Sequence, residues 1–112
     1  MKTLHVYNSG KFCGTLTFDG TVYTFQYLPT YQGSPVSLTM PCRQEPYIYA
    51  TFPPFFDGLL PEGYQLEGLL RILKIDRRDY MTQLAAVGND MVGTVTVREA
   101  PIDEISTKKS KS

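Results

Sequence analysis

The sequence predicts an α+β domain: a small, bent antiparallel sheet of about five strands followed by two helices. Three observations predict it. Before residue 50 the chain repeatedly alternates apolar and polar residues, the period of a half-buried strand. From Leu66 onward, leucines recur at helical spacing. Between these halves runs Phe52-Pro53-Pro54-Phe55-Phe56-Asp57-Gly58-Leu59-Leu60-Pro61-Glu62-Gly63. That stretch is too apolar for a free loop and too broken by proline for one long strand or helix. It reads as a buried elbow joining two layers of one domain.

In residues 3–8, Leu4 and Val6 point to one side and Thr3, His5 and Tyr7 to the other. His5 falls on the polar side, a position for a structural or solvent role. Asn8-Ser9-Gly10-Lys11 is a turn, and Phe12 to Phe18 resumes the alternation. Asp19-Gly20 is a strong hairpin signal. Thr21 to Tyr27 follows, rich in β-branched and aromatic residues. Leu28 to Pro35 is a connection between two prolines. Val36-Ser37-Leu38-Thr39-Met40 alternates again and predicts a fourth strand, stopped by Pro41. A short edge piece is expected around Tyr47 to Ala50, with Pro46 arguing against a central position.

After the elbow, Pro61 suits the first turn of a helix, and Glu62 suits the same end through the macrodipole. Leu66, Leu69, Leu70 and Leu73 cluster on roughly 100° of its circumference. Tyr64, Gly68, Arg71 and Ile75 lie almost opposite. That second face either packs on another part of the same fold or meets a partner. Asp76-Arg77-Arg78-Asp79 is expected to start the second helix, with Asp76 as N-cap and Asp79 in a capping-box position. Tyr80, Leu84 and Val87 form its stripe, and Gly88 is expected to supply a left-handed stop. Met91 to Val97 predicts a last strand returning to the sheet. Residues 1–100 thus form the domain, and 101–112 a flexible Lys/Ser-rich tail.

The chain has 112 residues and zero formal net charge, unevenly placed. Lys108, Lys109 and Lys111 lie in the last five residues, which leaves eight basic against eleven acidic residues before those five. An acidic body is a poor footprint for nucleic acid, which is held by clustered Lys and Arg. No apolar run approaches the roughly 20 residues that span a bilayer. The first residues begin a strand pattern without a signal-peptide h-region, so a cytoplasmic protein is expected. Cys13 and Cys42 read as two small buried hydrophobes, and with one histidine no tetrahedral Cys/His zinc set can be built.

No catalytic constellation emerges. The chain has no phosphate-cradling glycine loop followed by lysine and no Gly-x-Ser-x-Gly elbow. Asp57 and Glu62 could be imagined as a general acid/base pair, but a turn and a helix start account for them. The reading is a binding module: no enzyme, no cofactor, no metal.

Pro54-Phe55-Phe56-Asp57-Gly58-Leu59-Leu60-Pro61-Glu62-Gly63 resembles the signature of the N-terminal subdomain of HipA-type toxin kinases. Gly14-Thr15-Leu16 through Phe25-Gln26-Tyr27, then Val36-Ser37-Leu38-Thr39-Met40-Pro41, resembles that subdomain's opening strands. Leu84-Ala85-Ala86-Val87-Gly88-Asn89-Asp90, with Gly93 three on, resembles its helix exit. The resemblance covers roughly residues 2–98. In HipA several hundred residues of kinase fold follow; here a lysine-serine tail does.

The resemblance therefore implies a stand-alone antitoxin of the HipS type. It would neutralise a HipT-type Ser/Thr kinase in a three-part HipBST system, with a HipB-like DNA-binding protein as a possible third member. Two alternatives stand beside it: a non-catalytic subunit that completes a HipA-like kinase, and a small nucleic-acid binder that stacks bases on Tyr and Phe. Partner anchors are enriched in Trp, Tyr and Arg. Tyr64 is therefore expected to be the principal anchor, supported by Arg71 and Ile75, with Gly68 leaving room between them and Tyr31 as the second candidate.

Overall fold

The computed structural model describes residues 2–61, 63–88 and 94–100. Among these residues five strands form one antiparallel sheet in the order β4-β3-β2-β1-β5. They are β1 (Lys2–Asn8), β2 (Lys11–Phe18), β3 (Tyr23–Tyr27), β4 (Tyr47–Tyr49) and β5 (Val95–Glu99). Three helices accompany them: α1 (Pro54–Asp57), α2 (Gly63–Leu73) and α3 (Tyr80–Val87). The α+β class and strand number are as the sequence predicts, and the additional helix is a single turn inside the elbow. Pro54 stands in its first turn, where a missing N–H leaves no intrahelical bond unmade.

The alternation in β1 to β3 is real. Leu4, Val6, Cys13, Leu16, Tyr23, Phe25 and Tyr27 are buried, while Thr3, His5, Tyr7, Thr15 and Thr17 face the other way. On that outer face His5 stacks on Phe12 at 4.4 Å between ring centroids. β1 and β2 meet at the tight turn Ser9-Gly10, both with positive φ. The β2–β3 connection is longer than a two-residue hairpin, since Phe18 pairs with Tyr23. Asp19 organises it by accepting from the N–H groups of Thr21 and Val22 at 2.8 and 2.9 Å.

The inner face of the sheet is covered by the elbow and α3. Phe52, Phe56 and Leu60 from the elbow join Met81 and Leu84 from α3 in one core with the strand residues. Phe56 sits 5.6 Å from Phe25, and Phe52 stacks on Tyr80 at 5.0 Å. Phe55 and Leu59 are half-buried at its margin. Buried apolar area of this kind is the main favourable term in folding.

Several expectations are corrected. Val36–Met40 is not a strand. Ser37 and Met40 form an isolated bridge, and Val36 and Met40 are buried and both bonded to Tyr27. The Tyr27 hydroxyl accepts from the Val36 N–H at 3.0 Å and donates to the Met40 carbonyl. Alternation of Val36, Leu38 and Met40 misleads here, because Leu38 points outward and is 96% exposed.

Pro61 precedes α2 rather than opening it, and Ile75 lies beyond its end, half-buried in the following loop. α3 begins later than expected. Its N-cap is Asp79, whose carboxylate accepts from the Thr82 N–H at 3.2 Å, whereas Asp76 shapes the preceding turn through the Arg78 N–H. Gly88 is right-handed (φ −58°), not a left-handed stop. Cys13 is buried and Cys42 is exposed, and both are free thiols. Burial, with Cys42 nearby, pushes the Cys13 thiol up to about 11.

Met91 to Gly93, Glu62 and the tail 101–112 lie outside the described residues. Among the described residues, no helix is long and apolar enough to cross a membrane.

Candidate partner-binding surface

The candidate surface is built on α2. The helix starts at Gly63, whose φ of +58° is a conformation that costs glycine little. It ends in a Schellman arrangement: the Ile75 N–H donates to the Leu70 carbonyl at 3.0 Å, and Lys74 takes the left-handed position with φ 57°. Glycine is the usual residue there.

Along the eleven residues of α2 the only buried one is Leu70. Leu66 and Leu69 are half-buried, so the predicted leucine face does turn inward. Leu73, placed on that face by spacing, is 48% exposed at the helix end.

Opposite lies Tyr64, 97% exposed. Arg71 is exposed on the same side, and a side chain added at Gly68 would meet nothing within 4 Å. The helix thus brings together Tyr64, Gly68 and Arg71, and leaves Ile75 to the loop. Ile72, 77% exposed, is a residue the sequence reading missed. At 100° per residue it lies about 80° around from Tyr64, so the helical wheel held the signal. Tyr64 and Ile72 are thus exposed on neighbouring parts of the circumference, while the exposed Leu73 belongs to the end of the leucine face.

Tyr31 is engaged elsewhere. Its hydroxyl donates to the Ser34 carbonyl at 2.6 Å, and its ring stacks on Tyr27 at 6.0 Å. The Asn8 amide donates to the carbonyls of Ser34 and Pro35, which pins the same loop to β1.

The elbow residues are mostly structural: Phe56 and Leu60 are buried, and Phe55, Leu59 and Pro61 half-buried. Asp57 is exposed, and its carboxylate has no hydrogen-bond partner among the described residues. It borders an open depression of about 340 Å³ lined also by Leu60, Pro61, Leu66, Arg77 and Gln83. Arg77, which lines this depression, pairs with Glu67 of α2 at 2.6 Å. Among the described residues no group of three His, Cys, Asp or Glu is placed to hold a metal ion.

Comparison with known proteins agrees with the resemblance. The family model for the HipA N-terminal domain matches residues 4–98. An uncharacterised protein of Haemophilus influenzae is 36% identical over 94 residues, covering 84% of this chain and 89% of that protein. A Sinorhizobium fredii protein named as a candidate kinase, Y4mE, is 29% identical over 100 residues; the match covers 85% of this chain but 24% of that protein. A solved structure of the N-terminal domain of HipA toxin superposes with a TM-score of 0.72 at 31% identity, covering 90% of this chain and 94% of that one.

Proposed function

We propose that this chain, which belongs to the HipA N-terminal domain family over residues 4–98, is the antitoxin of a HipBST-type toxin–antitoxin system. In this reading it is a non-catalytic protein that binds and neutralises a HipT-type Ser/Thr kinase in the cytoplasm. A HipB-like DNA-binding protein would be the third member of the complex.

The observation that carries the reading is the circumference of α2. A surface helix ordinarily has one apolar stripe and a charged opposite face. This helix has its leucines on one side, Tyr64 on the other and Ile72 on the flank between them, with Tyr64 97% and Ile72 77% exposed. A partner of complementary shape would desolvate that second side, with Tyr64 as the anchor and Arg71 as a polar neighbour. Aromatic and arginine side chains of this kind dominate interface energetics.

Two relatives support the same reading. The Sinorhizobium protein has the domain as about a quarter of its length, beside a kinase name, and the Haemophilus protein consists of little else. The domain therefore occurs both joined to a larger chain and nearly alone, as expected of a module that docks on a kinase.

Co-expression tests it. Growth arrest caused by the cognate kinase should be relieved by this protein, and phosphorylation by the purified kinase should fall when it is added. A rise in phosphorylation would favour the second reading, a subunit that completes the enzyme. No change, with no complex on size exclusion, would refute both.

A further inference from the structure

We infer that α2 is a hinged arm, a cooperative unit that opens away from the sheet without unfolding it. Four observations converge on this. Among the described residues, no leucine of α2, not even the buried Leu70, belongs to the core cluster or to the half-buried residues packed around it. Both ends turn at left-handed residues, Gly63 and Lys74, and a non-glycine residue there is a strained join. Beneath the helix lies the open depression bordered by Leu66, Leu60 and Arg77, so the arm is not packed flush on the body. Its polar tie to the loop before α3, Glu67 to Arg77, joins side chains that are 49% and 60% exposed, and exposed pairs contribute little.

α3 is the contrast. Met81, Gln83 and Leu84 are all buried, and the Gln83 amide donates to the carbonyls of Asp76 and Arg77 at 3.1 and 2.8 Å. That clamp fixes the chain from Asp76 onward. The movable part is therefore bounded by Gly63 on one side and Lys74-Ile75 on the other. Segments with few buried apolar contacts open locally at lower free energy than the core. The arm stands on the geometry of the free protein, while its bearing on inhibition rests on the kinase-binding reading: the anchor Tyr64 would be carried by a segment whose order is completed on binding.

Hydrogen exchange read by mass spectrometry tests it. In the free protein, amides of residues 67–73 should exchange at least about 10-fold faster than those of β1 to β3. Leu16→Val, a mild change in the core, should accelerate the strand amides and leave those of α2 unchanged. Glu67→Gln should change α2 exchange little, since the pair is exposed, and Lys74→Gly should slow it by about 5-fold through relief of the left-handed join.

The arm is overturned if α2 exchanges at the strand rate, or if its exchange follows Leu16→Val. Added kinase should protect α2. If α2 opens independently but gains no protection from the kinase, the arm stands and the kinase-binding reading fails.

Discussion

Gly88 lies directly against the backbone of Val97. The Val97 N–H donates to the Gly88 carbonyl at 3.2 Å, and a Cβ on Gly88 would fall on the Val97 carbonyl oxygen. This contact joins the end of α3 to β5, where the core closes. The glycine is required by proximity, since its φ of −58° suits any residue.

Gly88→Ala is accordingly expected to destabilise the fold by about 1–3 kcal/mol, the cost of forcing extra volume into a packed site. Thermal melting checks it. A glycine serving only as a left-handed stop would tolerate asparagine, so Gly88→Asn distinguishes the two roles and should be at least as damaging as alanine.

Tyr27→Phe removes a buried hydroxyl that serves two partners, the Val36 N–H and the Met40 carbonyl. Both backbone groups lose their partner while the ring volume is unchanged. A loss of about 2–3 kcal/mol is expected, together with faster hydrogen exchange at Val36, whose N–H loses its acceptor. An unchanged melting temperature would show that water replaces the hydroxyl.

Phe56→Ala opens a cavity at a fully buried site beside Phe25 and should cost about 3–5 kcal/mol, a large share of a small domain's stability. Phe55, half-buried at the rim of the same core, should cost clearly less. Chemical denaturation of the two variants side by side measures the difference.

Acid should weaken the fold through Asp19 and Asp79. Backbone bonds from Val22 and Thr21 hold the Asp19 carboxyl below its ordinary value. At Asp79 burial pushes upward, but the Thr82 hydroxyl and N–H and the Lys2 ammonium together outweigh it and lower the value. Carboxyls depressed by folding stabilise above their unfolded pKa, and that contribution is lost as pH falls through the folded value. The loss is therefore expected below about pH 4. Asp79→Ala should remove the α3 cap at a cost of about 1 kcal/mol at neutral pH and flatten the acid limb of the stability curve.

Tyr64→Ala should leave the melting temperature essentially unchanged, because the side chain is 97% exposed. Its effect is expected in binding: a weakening of about 30-fold or more for the kinase, as for an interface hot spot, and lost rescue of growth. Normal affinity would move the anchor to Ile72, Leu73 or another surface.

By itself, the sequence determined what depends on residues close together in the chain. Period-two alternation gave β1 to β3, helical leucine spacing gave α2, and the proline-broken apolar stretch gave the elbow that seals the core. It also identified Tyr64 as lying opposite the leucines. Tertiary structure decided what depends on a distant neighbour. Val36–Met40 alternates like a strand, yet its backbone is held by the Tyr27 hydroxyl instead of a pairing strand. Gly88 reads as a helix stop but is a contact with Val97, nine residues on. Asp76 and Asp79 are equally good caps in sequence. Gln83 is buried and ties down the Asp76 and Arg77 carbonyls, while Asp79 caps Thr82 and pairs with Lys2. Local periodicity sets which face of an element is apolar; only the assembled chain sets what lies against it, because packing joins residues that the sequence keeps far apart.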